Sequence, residues 1–112
     1  MAMTLRHSGI QELRATLGFS RESLARALDV STRTVERWEA GATTDNAAAL
    51  RRIDELAEIA ALGREIYGPD LRRFLATPRR SLGDRSPAAA LMRGDLADVL
   101  GVLAQAYEGQ LG

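Results

Sequence analysis

Apolar residues recur at spacings of three and four along most of this chain, and no stretch alternates apolar and polar in the manner of a strand. Ile10, Leu13 and Leu17 mark a first helix, which Ser8 can cap and Gly18 ends. Phe19 then precedes Ser20, an N-cap residue type, so Phe19 can pack on the next turn as a hydrophobic staple. A second helix is predicted over about Arg21 to Leu28, with Leu24, Ala25 and Leu28 on its apolar stripe. Asp29-Val30 makes a turn. Ser31 caps a third helix, about Thr32 to Ala40, in which Val35 and Trp38 face inward and which Gly41 stops. After the polar stretch Ala42 to Asp45 a long helix is predicted from about Asn46 to Tyr67, burying Leu50, Ile53, Leu56, Ile59, Ala60 and Ile66. Gly68-Pro69 breaks it, and Pro69 opens a short helix to Ala76 with Leu71, Phe74 and Leu75 inward. Thr77-Pro78 ends that helix, and a loop with Leu82 and Gly83 follows. Ser86-Pro87 starts another short helix through Met92, and Gly94 interrupts it. A last helix from Asp95 to Tyr107 buries Leu96, Val99, Leu100, Leu103 and Ala106 and is closed by Gly109. The expected fold is all-α.

Composition agrees. Of 112 residues 46% are apolar and only 4% aromatic, so the core must be built from Leu, Ile, Val and Ala, in one small domain or two lobes sharing one core. With no Cys, disulfides, thiolate metal sites and Cys nucleophiles are excluded. No apolar run approaches a membrane span and the N-terminus has no signal-peptide core, so a cytoplasmic protein with no membrane partner is expected. The net charge is zero. A neutral duplex binder must gather its positive charge on one face, bind as an oligomer, or bind weakly. All fifteen basic residues are Arg, which suits bidentate contacts but also follows from a base-composition bias of the genome.

Arg21 to Gly41 reads as helix, tight turn, helix. Small Ala25 lets two helices approach closely, and Val35 and Trp38 pin the second against the first. Thr32, Arg33, Glu36 and Arg37 are left outward. Arg33 and Arg37, one turn apart, can reach guanine O6/N7 in a major groove, and Thr32 or Thr34 can touch a thymine methyl or a phosphate. Ser31 caps a helix N-terminus whose free amides suit a phosphate, and Arg21 is placed to touch the backbone. Glu36 and Glu39, on or near that face, would repel phosphate. The blander reading is a three-helix scaffold with solvating arginines. From about Ile10 to Gly41 the chain resembles the Cro/Xre-type helix-turn-helix family, of which W-E-A-G at Trp38 to Gly41 is typical. The family's turn position usually holds Gly; here it is Asp29, a residue that tolerates left-handed backbone better than most. By that resemblance Thr32, Arg33 and Arg37 fall at base-reading positions.

About seventy further residues follow Gly41. Phe74 to Gly109 carries, in order, Thr77-Pro78, the run Leu82, Gly83, Asp84, Arg85, Ser86, Pro87, then Gly94 and an amphipathic helix. This order resembles the C-terminal domain of the MbcA/ParS/Xre antitoxins. The resemblance implies a helix-turn-helix head over residues 1–45, a linking helix over 46–67 and a toxin-binding antitoxin domain over 68–112. It further implies a RES-domain toxin as partner, a protein that consumes NAD or transfers ADP-ribose from it. The antitoxin would block the toxin's active-site cleft, and the pair would repress its own operon at operator DNA as a homodimer or toxin–antitoxin hetero-oligomer. In the family the blocking surface includes the last helix and chain end. Here that is Ala104 to Gly112, with Tyr107 and Glu108 as the foremost side-chain contacts and Gly109, Gln110, Leu111 and Gly112 beyond them. A carboxylate of Glu108 or of the Gly112 terminus could pair with arginines that otherwise hold NAD phosphates. Residue by residue plainer roles compete: Ser86-Pro87 is a helix start, Gly83 and Gly94 are turn residues, Arg85 can solvate the loop or bond carbonyls, and Arg79-Arg80 suits a solvated loop.

No enzyme chemistry is indicated, and no cofactor or metal is expected. His7 has no neighbouring partner, GATTD lacks the lysine and glycine spacing of a phosphate loop, and Asp54, Glu55 and Glu58 pair along a helix with Arg51 and Arg52. Two other functions fit the same residues: a stand-alone Xre-type repressor whose C-terminal half dimerises or senses a ligand, and a protein-binding adaptor that no longer touches DNA.

Overall fold

The computed structural model describes residues 7–111, and their side chains from 9 to 110. Among the described residues seven α-helices follow one another: α1 His7–Leu17, α2 Arg21–Leu28, α3 Thr32–Glu39, α4 Ala47–Tyr67, α5 Leu71–Ala76, α6 Pro87–Met92 and α7 Leu96–Leu111. A 3-10 turn, Gly68–Asp70, leads into α5, and another, Arg80–Leu82, lies between α5 and α6.

The helix starts follow from local hydrogen bonding. Ser20, Ser31, Asn46 and Ser86 each hold an extended N-cap backbone, and each accepts a bond from the amide three residues on, at 3.0–3.1 Å. Each such cap satisfies one of the amides that a helix start leaves without an intrahelical acceptor. The α2–α3 turn forms as expected. Asp29 sits at φ 57, ψ 47, left-handed, and its amide and that of Val30 close on the last carbonyls of α2. Phe19, just before the Ser20 cap, is buried.

Four local expectations are corrected. Ser8 does not cap α1, because the helix already includes His7. Leu50 is half-exposed, and Ala49 takes the buried place at the start of α4. The segment after α5 is an ordered turn, in which Arg79 and Arg85 form an antiparallel bridge. Gly109 does not close α7, which continues to Leu111. A single interior glycine costs a helix only about 1 kcal/mol, and the last turn is also held from outside: the Gln110 side-chain amide donates to the Ile66 carbonyl, 3.4 Å away.

Buried residues from Ile10 to Leu103 form one cluster. α2, which buries Leu24, Ala25, Ala27 and Leu28, packs on α3, which buries Val35 and Trp38, and α6, which buries Pro87, Ala90 and Leu91, packs back onto α2. In the other direction α4 lies along α7, burying Leu56 and Ile59 with Val99 and Leu103. At its far end α4 comes close to α5. A Cβ on Gly63 would stand 2.7 Å from Leu71 Cδ1, so any larger residue there would force the buried Leu71 side chain to shift.

Candidate functional site

The outward face of α3 is set by what its other face buries. With Val35 at 0% and Trp38 at 3% exposure, helical spacing turns Arg33, Glu36 and Arg37 to solvent, and Thr32 and Thr34 are half-buried. Ser31 Oγ accepts from the Thr34 amide and lies 2.8 Å from Thr34 Oγ1, so the Thr34 hydroxyl is drawn into the cap. The Val35 amide bonds to the Ser31 carbonyl. The Thr32 and Arg33 amides remain at the open positive end of the helix, where an anion is favoured. Arg33 and Arg37 make no ion pair among the described residues.

Arg21 and Glu39 are placed differently from a simple surface reading. Glu39 is buried, with its side chain 4% exposed, and two guanidiniums grip it. Arg14 donates from Nε and Nη2 to its two carboxylate oxygens at 3.1 and 3.2 Å, and Arg21 does the same at 3.0 and 3.4 Å. Burial pushes the Glu39 carboxyl up, but the hydrogen bonds from Arg21 and Arg14 outweigh it and hold it below the ordinary carboxylate range. The bond to Glu39 in turn raises Arg21. Glu39 is therefore neutralised inside the head and does not stand against phosphate; of the two acids on this face only Glu36 is exposed. The cluster of Arg14, Arg21 and Glu39 keeps one net positive charge. Arg21, with its side chain 47% exposed, keeps Nη1 outside the fork.

A notch of about 180 Å³ lies beside Arg37, lined also by Thr34, Thr43 and Thr44. Sequence reasoning took Ala42 to Asp45 only for a connector. The Gly41 φ of 103, which folds this segment back against α3, is the feature that brings the two threonines to the arginine.

The second candidate surface is the end of α7. Tyr107 is half-buried, and Glu108, Gly109 and Gln110 are exposed. Leu111 ends the helix, and Gly112 lies outside the described residues. The turn before α6 supports this helix from its other end. Arg85 Nη1 donates to Asp95 Oδ2 at 2.7 Å and Nε donates to the Leu82 carbonyl at 2.9 Å, so Arg85 bonds a carbonyl and fixes the residue that precedes α7. Gly83 and Asp84, at φ 67 and 63, make the turn that aims it. Arg79 is no free loop cation. Its guanidinium lies 5.2 Å over the Phe74 ring, which stacks on Tyr67 at 4.4 Å between centroids.

Among the described residues no cluster of His, Asp or Glu could hold a metal ion, and no helix is long and apolar enough to cross a membrane. What the two surfaces offer is binding: guanidiniums, hydroxyls and open amides at one end, and at the other an exposed carboxylate, Glu108, and the half-buried Tyr107.

The comparisons with known proteins concern the fold and the family. Residues 10–64 match a family model described as a helix-turn-helix domain, a span that includes α2, α3 and most of α4. The mycobacterial cidal antitoxin MbcA of Mycobacterium tuberculosis, and that of Mycobacterium bovis, are each 31% identical to the chain over 94 residues, 83% of either protein. The fold superposes on a chain of the crystal structure of the M. tuberculosis MbcT-MbcA toxin-antitoxin complex with a TM-score of 0.70 and 28% identity, covering 92% of this chain and 94% of that one. The match runs through the helix-turn-helix and the helices that follow it, and on that ground the chain belongs to the MbcA antitoxin family.

Proposed function

We propose that this protein is the antitoxin of a type II toxin–antitoxin pair, and that it neutralises a RES-domain toxin by blocking the cleft in which that toxin handles NAD. The observation that carries the reading is the likeness, over nearly the whole of both chains, to an antitoxin chain in a complex with its toxin. The blocking surface is the end of α7 and the residues after it: Tyr107, Glu108, Gly109, Gln110, Leu111 and Gly112. Glu108 offers a carboxylate to arginines that would otherwise hold NAD phosphates. The division of labour follows the chain, with a DNA-reading head over residues 1–45, a linking helix over 46–67 and the toxin-binding part over 68–112.

The head represses the pair's own operon. Arg33 and Arg37 read base edges, Thr32 and Thr34 contact bases or phosphate, and Arg21 and the Ser31-capped helix start meet the backbone. Two copies, as a homodimer or held together by toxin, bring two such heads to one operator in the cytoplasm. The protein is a binder and no enzyme. Co-expression tests the reading: cells carrying the RES-domain protein encoded next to this one should grow when this chain is supplied and stop growing without it. Growth arrest in both cases would reject it.

A further inference from the structure

The head and the C-terminal half meet along a junction that side chains fill only in part. One groove beside it, of about 270 Å³, is lined by Leu17, Gly18, Phe19 and Leu75, and another, of about 330 Å³, by Ala15, Thr16 and Pro69. Arg72 of α5 borders both. Its Nη2 donates to the Ala15 carbonyl at 2.8 Å, joining residues 57 positions apart. That carbonyl belongs to the last turn of α1, the helix's negative end, and also accepts from the Gly18 amide at 3.3 Å, so Arg72 adds the second and shorter bond to it. The chain makes room for the contact. Gly18 sits at φ 69, and a Cβ there would lie 3.1 Å from Arg72 Nε and 3.3 Å from Cδ. Through Gly18, Phe19 and Ser20 the end of α1 runs directly into α2, and α2 carries α3. Whatever fixes the end of α1 therefore bears on the direction in which α3 points.

We propose that Arg72 is a positioning residue: a strut across the junction that sets the angle of the helix-turn-helix on the toxin-binding half. When two copies occupy one operator, it thereby sets the distance between their α3 helices. This rests on the operator-binding reading above. A pair of heads held at a fixed angle matches only half-sites at one spacing, whereas heads that swing accept several. Because Arg72 is exposed, truncating it empties no part of the core.

The test compares wild type with Arg72→Ala and Arg72→Lys on duplexes whose half-site spacing is stepped by single base pairs, alongside amide exchange at Gly18 and Phe19. Wild type should prefer one spacing by several-fold. Arg72→Ala should exchange faster at both amides and lose most of that preference, while keeping its affinity for a single half-site and for the toxin. Arg72→Lys, which can still reach the carbonyl, should recover part of the preference. Unchanged exchange in Arg72→Ala, or faster exchange with the spacing preference intact, would overturn the strut. A wild-type protein that ignores duplex altogether would sink the operator reading and the strut with it, whereas failure of the strut alone leaves wild-type operator binding in place.

Discussion

The arginines of the head divide into two kinds, and their neighbours decide which is which. Arg33 and Arg37 project from α3 with no ionic partner among the described residues, so each is expected to contribute to reading bases. Arg33→Ala and Arg37→Ala should each weaken operator binding by about 1–3 kcal/mol, measured as a shift in dissociation constant at fixed salt. Equal affinity in both variants would favour an adaptor that no longer touches DNA. Arg14 and Arg21 are bound to buried Glu39 and serve the fold as well as any ligand. Glu39 is held below the ordinary carboxylate range, so it stabilises the folded state above its unfolded pKa of about 4.3. That contribution is lost as the pH falls through the lower, folded value. Wild type should lose stability faster than Glu39→Gln in denaturant titrations carried below about pH 4, and parallel pH profiles would contradict this. At neutral pH Glu39→Gln should be less stable by about 1–3 kcal/mol, because it weakens charge-assisted bonds in a buried place. The outward set on α3 was legible from helical spacing alone. The grip on Glu39 was not, because Arg14 and Arg21 lie 25 and 18 positions away and only the packing of three helices brings them together.

Helix limits were legible wherever a single side chain decides them. Ser20, Ser31 and Ser86 are caps in the sequence and in the structure, Asn46, read as the first residue of its helix, proves to be its cap, and Asp29 takes the left-handed turn that the family usually gives to Gly. That turn suggests a variant. Asp29→Gly removes the Cβ strain of a positive φ and should stabilise the protein by about 1 kcal/mol, read as a higher denaturant midpoint with unchanged slope. Its cost is the 3.7 Å pair with Arg52, whose carboxylate side is 84% exposed and worth little. A lower midpoint would mean that Asp29 does more than turn the chain. Limits were misread where distant groups decide them. Gly109 would stop an isolated helix, but α7 lies along α4 and Gln110 is tied to it, so the last turn persists. Gly63, inside α4, is the place where Leu71 comes down on that helix.

At the scale of the whole molecule, one buried cluster runs through the helix-turn-helix and the C-terminal half, so the two functions proposed for this chain share one scaffold. The order of segments was legible from Pro, Gly and Ser punctuation. The way α6 folds back onto α2, and α5 onto α1, was not, since nothing in a local pattern says which apolar stripes will meet. On the proposed function, the toxin-facing surface is small and lies at one end of α7. A chain with Glu108→Ala that also ends after Gly109 should keep its fold and its operator affinity yet lose most of its protection against toxin; full protection would move the blocking surface elsewhere. The central claim is most directly tested by titrating the purified protein into the RES-domain toxin proposed as its partner while following NAD loss. The account predicts that turnover falls in proportion to added antitoxin and stops at a fixed stoichiometry, whereas turnover unchanged at an excess of this protein would contradict it.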